Sequence, residues 1–270
     1  MKWQTSMQSL LSEVPTALLE ASPDINLQLW NDAVAHQPPV IHIAEQMEPP
    51  DVVYFLKSKA NGHLLQKNKE HFAEDLEMTA RWIGNAKTYF EGSCLEKPTH
   101  SEVIAFTQKS EKAELKEKMM RFLDGVQGPS LPDAALAIFE ELFMNATIDA
   151  PKEAQRLGRP ATKLENQFSF ERHNKKLVIS CRDPYGALDV QKFLNRMSEV
   201  YERGAGDAIN MTQPGGAGLG CVILFENCTQ LIVGCHEGQW TKVTCMIPLS
   251  CSQRQRAEMK KSLHRIEIPS

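Results

Sequence analysis

Apolar positions recur at helical spacing most clearly between residues 134 and 148. There Leu136, Phe139, Leu142, Phe143 and Ala146 fall on one face of a predicted helix. Ser130 and Asp133 resemble a capping box ahead of it, with Pro132 tolerated in the first turn. The period then changes. Two strand-like runs, 167–172 and 177–182, flank the turn residues His173 and Asn174. A second helix, 189–203, carries Val190, Phe193, Leu194, Met197 and Tyr201 along one face. A loop rich in Gly, Asn and Pro fills 204–216, a short apolar helix covers 219–227, and strands at 230–235 and 241–249 close the region. The order helix, hairpin, helix, glycine loop, helix, hairpin predicts an α+β sandwich with a helical layer on one face of a mixed sheet.

The flanking regions have a different texture. Residues 1–70 hold short apolar clusters at 24–30, 39–44, 52–56 and 63–65, and β-branched and aromatic residues direct several of these to strands. Proline-rich punctuation at 37–39 and 48–50 separates them. Residues 70–125 are more polar and mostly helical in pattern. Leu115, Met119, Phe122 and Leu123 form one buried stripe among Lys and Glu, and Gly125 stops the helix. The segment 251–270 sets Arg254, Arg256, Lys260, Lys261 and Arg265 against Glu258 and Glu267, which reads as a solvated amphipathic extension. The expected organisation is a small α/β domain over 1–70, a helical linker over 71–128, the sandwich domain over 129–250 and a polar basic tail over 251–270.

Composition narrows the function classes. With 42% hydrophobic and 24% charged residues the chain has the balance of a folded globular protein. Thirty basic against 34 acidic residues give −4, with no basic stripe, so nucleic acid is not the expected partner. Apolar runs such as 221–225 fall far short of the roughly twenty residues needed to cross a bilayer. The first fifteen residues have no signal-peptide pattern. The 7 cysteines form no CxxC pair, so neither a zinc site nor a disulfide framework is expected, and most read as small hydrophobes. These features together read as cytoplasmic.

Four short features could carry chemistry. In Glu141-Leu-Phe-Met-Asn145 the carboxylate and carboxamide are four residues apart on a helix and share a face at the border of the apolar stripe. A carboxamide oxygen suits Mg²⁺, and a neighbouring carboxylate can accept a proton from a water or hydroxyl. Gly215-Gly216-Ala217-Gly218-Leu219-Gly220 opens an apolar helix, so its backbone can approach a ligand closely and direct N–H groups and a helix N-terminus at phosphate. It is neither a P-loop, lacking Gly-Lys-Ser/Thr, nor a dinucleotide fingerprint, lacking a preceding strand. Asp183, in Arg182-Asp183-Pro184-Tyr185-Gly186 at a strand end, can accept from an exocyclic amine such as that of adenine. Thr241 opens the last strand.

In this order and on these elements, the features resemble the GHKL ATPase superfamily over about residues 130–249. That group contains gyrase, the large heat-shock chaperone, mismatch-repair ATPases, histidine kinases and the anti-sigma-factor serine kinases. The resemblance implies a Bergerat-type two-layer sandwich that binds ATP and Mg²⁺. It implies Asn145 as the magnesium ligand, and Glu141 as the acid that activates a water or an acceptor hydroxyl. Asp183 would read the adenine amino group with Gly186 near the ring and Thr241 in support. Gly216, Gly218, Leu219 and Gly220 would close on the phosphates. The family's second motif is Asp-x-Gly-x-Gly, whereas this chain has Asp183-Pro184-Tyr185-Gly186-Ala187, with the glycine one position late and the second one lost.

The short lid between Gly186 and Gly215 is more similar to the anti-sigma-kinase and histidine-kinase branch than to the chaperone or topoisomerase branch. A histidine kinase needs a phosphoacceptor His in an apolar helical hairpin, and neither His71 nor His100 has that context. In some signalling proteins such a domain follows a receiver, and Gly62-His-Leu-Leu-Gln-Lys67 is similar to that fold's last strand and lysine, although 1–70 is too short for five βα units. The expected activity is therefore that of an ATP-dependent serine/threonine kinase acting on a signalling protein, or an ATP-dependent grip on it, with a homodimer as a further assembly. The alternative is a GHKL-like scaffold that has lost nucleotide binding and works by protein contact.

Overall fold

The computed structural model describes residues 18–21, 40–44, 47–57, 62–66, 72–84, 86–92, 94, 98–126, 131–159, 165–173, 175–203, 219–249 and 251–268. Its strands are β1 (Leu18–Ala21), β2 (Val40–Ala44), β3 (Gly62–Gln66), β4 (His100–Phe106), β5 (Asn166–His173), β6 (Lys176–Asp183), β7 (Gln230–His236), β8 (Trp240–Pro248) and β9 (Ser262–Ile268). They form one mixed sheet in the order β1-β2-β3-β9-β7-β8-β6-β5-β4. The helices are α1 (Pro49–Lys57), α2 (Phe72–Gly84), α3 (Ala86–Glu91), α4 (Lys112–Phe122), α5 (Leu131–Met144), α6 (Ala150–Arg156), α7 (Val190–Arg203), α8 (Leu219–Asn227) and α9 (Gln253–Glu258).

Alternation along the strands decides what each face of the sheet buries. On β6, Leu177, Ile179 and Cys181 join a core with Phe168 and Phe170 of β5, Val243, Cys245 and Ile247 of β8, and the apolar stripes of α1, α4, α5, α7 and α8. The predicted stripe of the 134–148 helix is the inner face of α5, where Phe139 stacks on Phe168 at 4.9 Å between ring centroids. The intervening positions along β6, β7, β8 and β9, Val178, Ile232, Met246 and Ile266, face the opposite way and are covered by Met78 and Trp82 of α2, Tyr89 and Phe90 of α3, and Cys94. Helices therefore lie on both faces, not one. Gly234 makes room for this second layer, since a Cβ there would come within 2.5 Å of the Tyr89 ring and 3.0 Å of Phe90.

Several expectations change. Of the early clusters, 39–44 and 63–65 lie in strands, 52–56 is the buried side of α1, and 24–30 falls outside the described residues. Two prolines and an acidic residue in the first turn start α1 as a helix, which its β-branched content had obscured. The stretch expected as a helical linker contributes β4, the edge strand paired antiparallel to β5.

The expected solvated tail is instead α9 and β9, and β9 is buried from Ser262 to Ile266. β9 runs parallel to β7 and antiparallel to β3, so it joins β1–β3 to the rest of the sheet. Its charges are accommodated individually. Lys261 Nζ donates to the Phe225, Glu226 and Cys228 carbonyls at the C-terminus of α8, and Arg265 donates to Gln191 Oε1 and Glu267. At the seam His63 and His264 are directly paired, with their Nδ1 atoms 3.2 Å apart. Burial, then the neighbouring His63, holds His264 well below the usual imidazole range.

Candidate functional site

Residue Asn145 does not continue α5. Asn145–Asp149 form a π turn, in which the Ala150 N–H donates to the Asn145 carbonyl. Two local features explain it. Thr147 Oγ1 donates back to the Phe143 carbonyl at 2.7 Å, and Pro151, at the start of α6, cannot follow an unbroken α-helix without crowding the carbonyl four residues earlier. Turns of this kind recur at functional sites. Ala146 is buried in the core shared with β6, and the turn packs on β6, leaving Asn145 partly exposed.

Glu141, one turn earlier on α5, is half-buried. Burial first, then the charges of Asp149 and Glu140, raise its carboxyl above the usual range, with Lys112 opposing. Asp149 is exposed, yet partial desolvation of its carboxyl raises it too; it belongs to this acidic group and was not singled out by sequence. Glu141 meets α8 at Gly220. A Cβ at 220 would overlap Glu141 Oε2 and lie 3.1 Å from its Cδ, so the close approach of the carboxylate requires glycine there. Cys221 next to it is buried, and burial pushes its thiol up to about 12.

A second group of predicted residues gathers at the end of β6. Asp183 is directly opposite Thr241 in the β6–β8 register, and alternation puts both on the face shared with Cys181 and Val243. Asp183 is 6% exposed. Its Oδ1 accepts the Tyr185 N–H at 3.0 Å, an Asx-type turn fitting an Asp-Pro-Tyr-Gly sequence. Burial raises its pKa to about 7, outweighing Tyr185, Gly186 and Thr241, which favour the ionised form. The Thr241 hydroxyl lies near enough to favour the ionised carboxyl, yet its buried Oγ1 meets hydrogen-bond geometry with no partner.

Gly186 follows with φ +52, and a Cβ would overlap the His236 carbonyl and come within 2.5 Å of Gln239 N and 2.7 Å of Gly238 N. Its carbonyl accepts the Gly238 N–H at 3.1 Å, which fastens the loop to the β7–β8 turn.

Thus Glu141 and Gly220 come together, with Leu219 the chain neighbour of Gly220 at the start of α8, as do Asp183, Gly186 and Thr241, and the π turn carrying Asn145 packs against the strand that ends in Asp183. Gly216 and Gly218 lie outside the described residues. His71 does too, while His100 stands on β4 stacked on Phe122, not in a helical hairpin. Among the described residues no three His, Cys, Asp or Glu side chains form a metal-holding group. The donor set nevertheless suits Mg²⁺ carried by a nucleotide, which needs one or two protein oxygens and takes its other ligands from phosphate and water. No helix of the described residues is long and apolar enough to cross a membrane.

No family model matches this chain, and no curated protein matches it significantly. Among solved structures, a chain in the crystal structure of the SiaB-SiaC complex from Pseudomonas aeruginosa is similar to it at 12% identity and a TM-score of 0.40, over 64% of this chain and 99% of that one.

Proposed function

We propose that residues 130–249 form a GHKL-type site that binds ATP with Mg²⁺ and acts on a protein partner. The observation that carries the reading is the seating of the Glu141 carboxylate on Gly220, which joins the first and third motifs of the resemblance across the α5–α8 contact. The partly exposed Asn145 carboxamide, one turn from Glu141, would hold the cation. When bound, Mg²⁺ would offset phosphate charge, in the way that positioning and electrostatics dominate phosphoryl transfer generally. Asp183 would accept the purine amino group, and the unpartnered Thr241 Oγ1 would complete the polar end of that pocket. Glu141, raised by burial and acidic neighbours, is suited to take the proton of an acceptor hydroxyl as its oxygen bonds phosphorus and the bond to the departing ADP breaks.

On this reading the chain is a serine/threonine kinase for a signalling protein, or holds that protein in an ATP-dependent grip. A thermal-shift titration tests it, because a ligand that binds only the folded state raises the midpoint. The midpoint is expected to rise with ATP and Mg²⁺ together. No rise with ATP, ADP or a non-hydrolysable analogue would overturn the reading.

One observation favours the alternative of a scaffold without nucleotide. Tyr185 replaces the small residue of the usual motif, and its hydroxyl is raised by burial and by the Asp183 charge, so it stands beside the acid that would read the base. Tyr185→Gly separates the two readings: nucleotide binding that emerges only in this variant identifies a scaffold.

A further inference from the structure

Arg159 lies beyond every motif of the resemblance, yet it touches the loop on which the purine end of the site depends. Its position follows from the end of α6. Gly158, with φ +71, donates its N–H to the Gln155 carbonyl at 3.0 Å, and the Arg159 N–H donates to the Ala154 carbonyl at 2.9 Å, a glycine-type helix stop. The guanidinium then spans three groups. Nη1 donates to the Gly186 carbonyl at 2.5 Å and to the Tyr185 carbonyl at 3.3 Å, and Nη2 pairs with Glu237 Oε1 at 3.2 Å. Its side chain is 25% exposed.

The Gly186 carbonyl thus receives two donors, Arg159 Nη1 and the Gly238 N–H. Tyr185 and Gly186 both supply backbone N–H groups that favour the charged form of Asp183, as does Thr241. Arg159 is also close in sequence to the acidic group, since α6 directly follows the π turn of Asn145–Asp149. A planar fork is required, because one cation must reach two carbonyls and a carboxylate at fixed angles, which an ammonium reproduces poorly.

We infer that Arg159 is a positioning residue that ties the end of the Asn145-bearing helical segment to the Tyr185–Gly186 turn and so fixes Asp183 for reading a purine amino group. This rests on the nucleotide reading above. It acts on base recognition, not on the phosphates, so its loss separates ligands that have a base from ligands that do not.

The test compares the wild-type chain, Arg159→Ala and Arg159→Lys by calorimetric titration with ATP and with inorganic tripolyphosphate, both with Mg²⁺. Amide exchange at Tyr185 and Gly238 is followed on the unliganded proteins. In Arg159→Ala the affinity for ATP is expected to fall about tenfold or more and that for tripolyphosphate less than about twofold, with faster exchange at both amides. Arg159→Lys, which keeps the charge and loses the fork, is expected to retain most of the ATP defect. Equal affinities in Arg159→Ala and wild type, or equal losses for both ligands, would overturn the proposal. If wild type binds neither ligand, the nucleotide reading is what fails. Exchange then decides the role of Arg159 in the loop: acceleration at Tyr185 and Gly238 upholds it, and unchanged exchange overturns it.

Discussion

Asp183 and Thr241 are direct cross-strand neighbours, a buried carboxyl facing a buried hydroxyl that has no hydrogen-bond partner. The carboxyl titrates at about 7 in the folded protein against an ordinary 3.8. Between those values the folded state keeps a proton that the unfolded chain has released. Stability therefore falls as pH rises from about 4 to about 7, by up to about 1.4 kcal/mol per pH unit, and the penalty is constant above that window. Asp183→Asn is expected to flatten this part of the pH–stability profile and to raise the thermal midpoint at pH 8. It should also weaken ATP binding. Denaturation profiles of both proteins from pH 4 to pH 8 check the first outcome, and a titration at pH 8 checks the second. In wild type, ATP affinity is expected to rise through pH 7 as the acceptor ionises.

Asn145 is partly exposed and opens a π turn, so its truncation removes little packing. Asn145→Ala is expected to abolish magnesium-dependent nucleotide binding while shifting the thermal midpoint by no more than about 2–4 °C. Titration of the variant with ATP, with and without Mg²⁺, reads the difference. Unchanged affinity in Mg²⁺ would remove the metal assignment.

Gly220→Ala places a methyl group where Glu141 Oε2 now lies. The obstructing atom is the end of a flexible side chain, so the carboxylate moves and the helices stay. Alanine also favours the helix by up to about 1 kcal/mol. The expected outcome is an unchanged or slightly raised midpoint with phosphoryl transfer or hydrolysis reduced at least about tenfold, measured by single-turnover product formation with ATP saturating.

Gly186→Ala has no such escape, since every atom it would meet is backbone and φ is positive. A loss of more than about 2 kcal/mol is expected, seen as a lower denaturation midpoint. A variant as stable as wild type would show that the loop can move away from the β7–β8 turn.

The elements around the site were legible where their signals are local. Phe139, Leu142 and Phe143 repeat at the period of a helix, and the paired runs about His173 repeat at the period of a strand, so α5, β5 and β6 follow from a few neighbouring residues. Glu141, Asp183 and Thr241 were readable for the same reason, each having a fixed place on such an element. What escaped depends on distant partners. Lys261 and Arg265 look like solvent-facing charges until the α8 carbonyls and Gln191 are present to receive them. Tyr89 and Phe90 declare no second helical layer without Gly234 opposite them. Asp149 and Arg159 gain meaning only once the π turn and the Gly158 helix stop have bent the chain. Pro151 and Gly158 were the available cues.

The pairing of β3 with β9 unites positions 201 residues apart, as His63 and His264 mark. During synthesis β3 must wait for nearly all the intervening chain before β9 exists, and its edge stays open in the meantime. Assembly of the sheet is thus ordered in time. The strands β4–β8, which bear Asp183 and pack against the helices of Glu141 and Gly220, pair without β3, whereas β3 is joined to them only through β9.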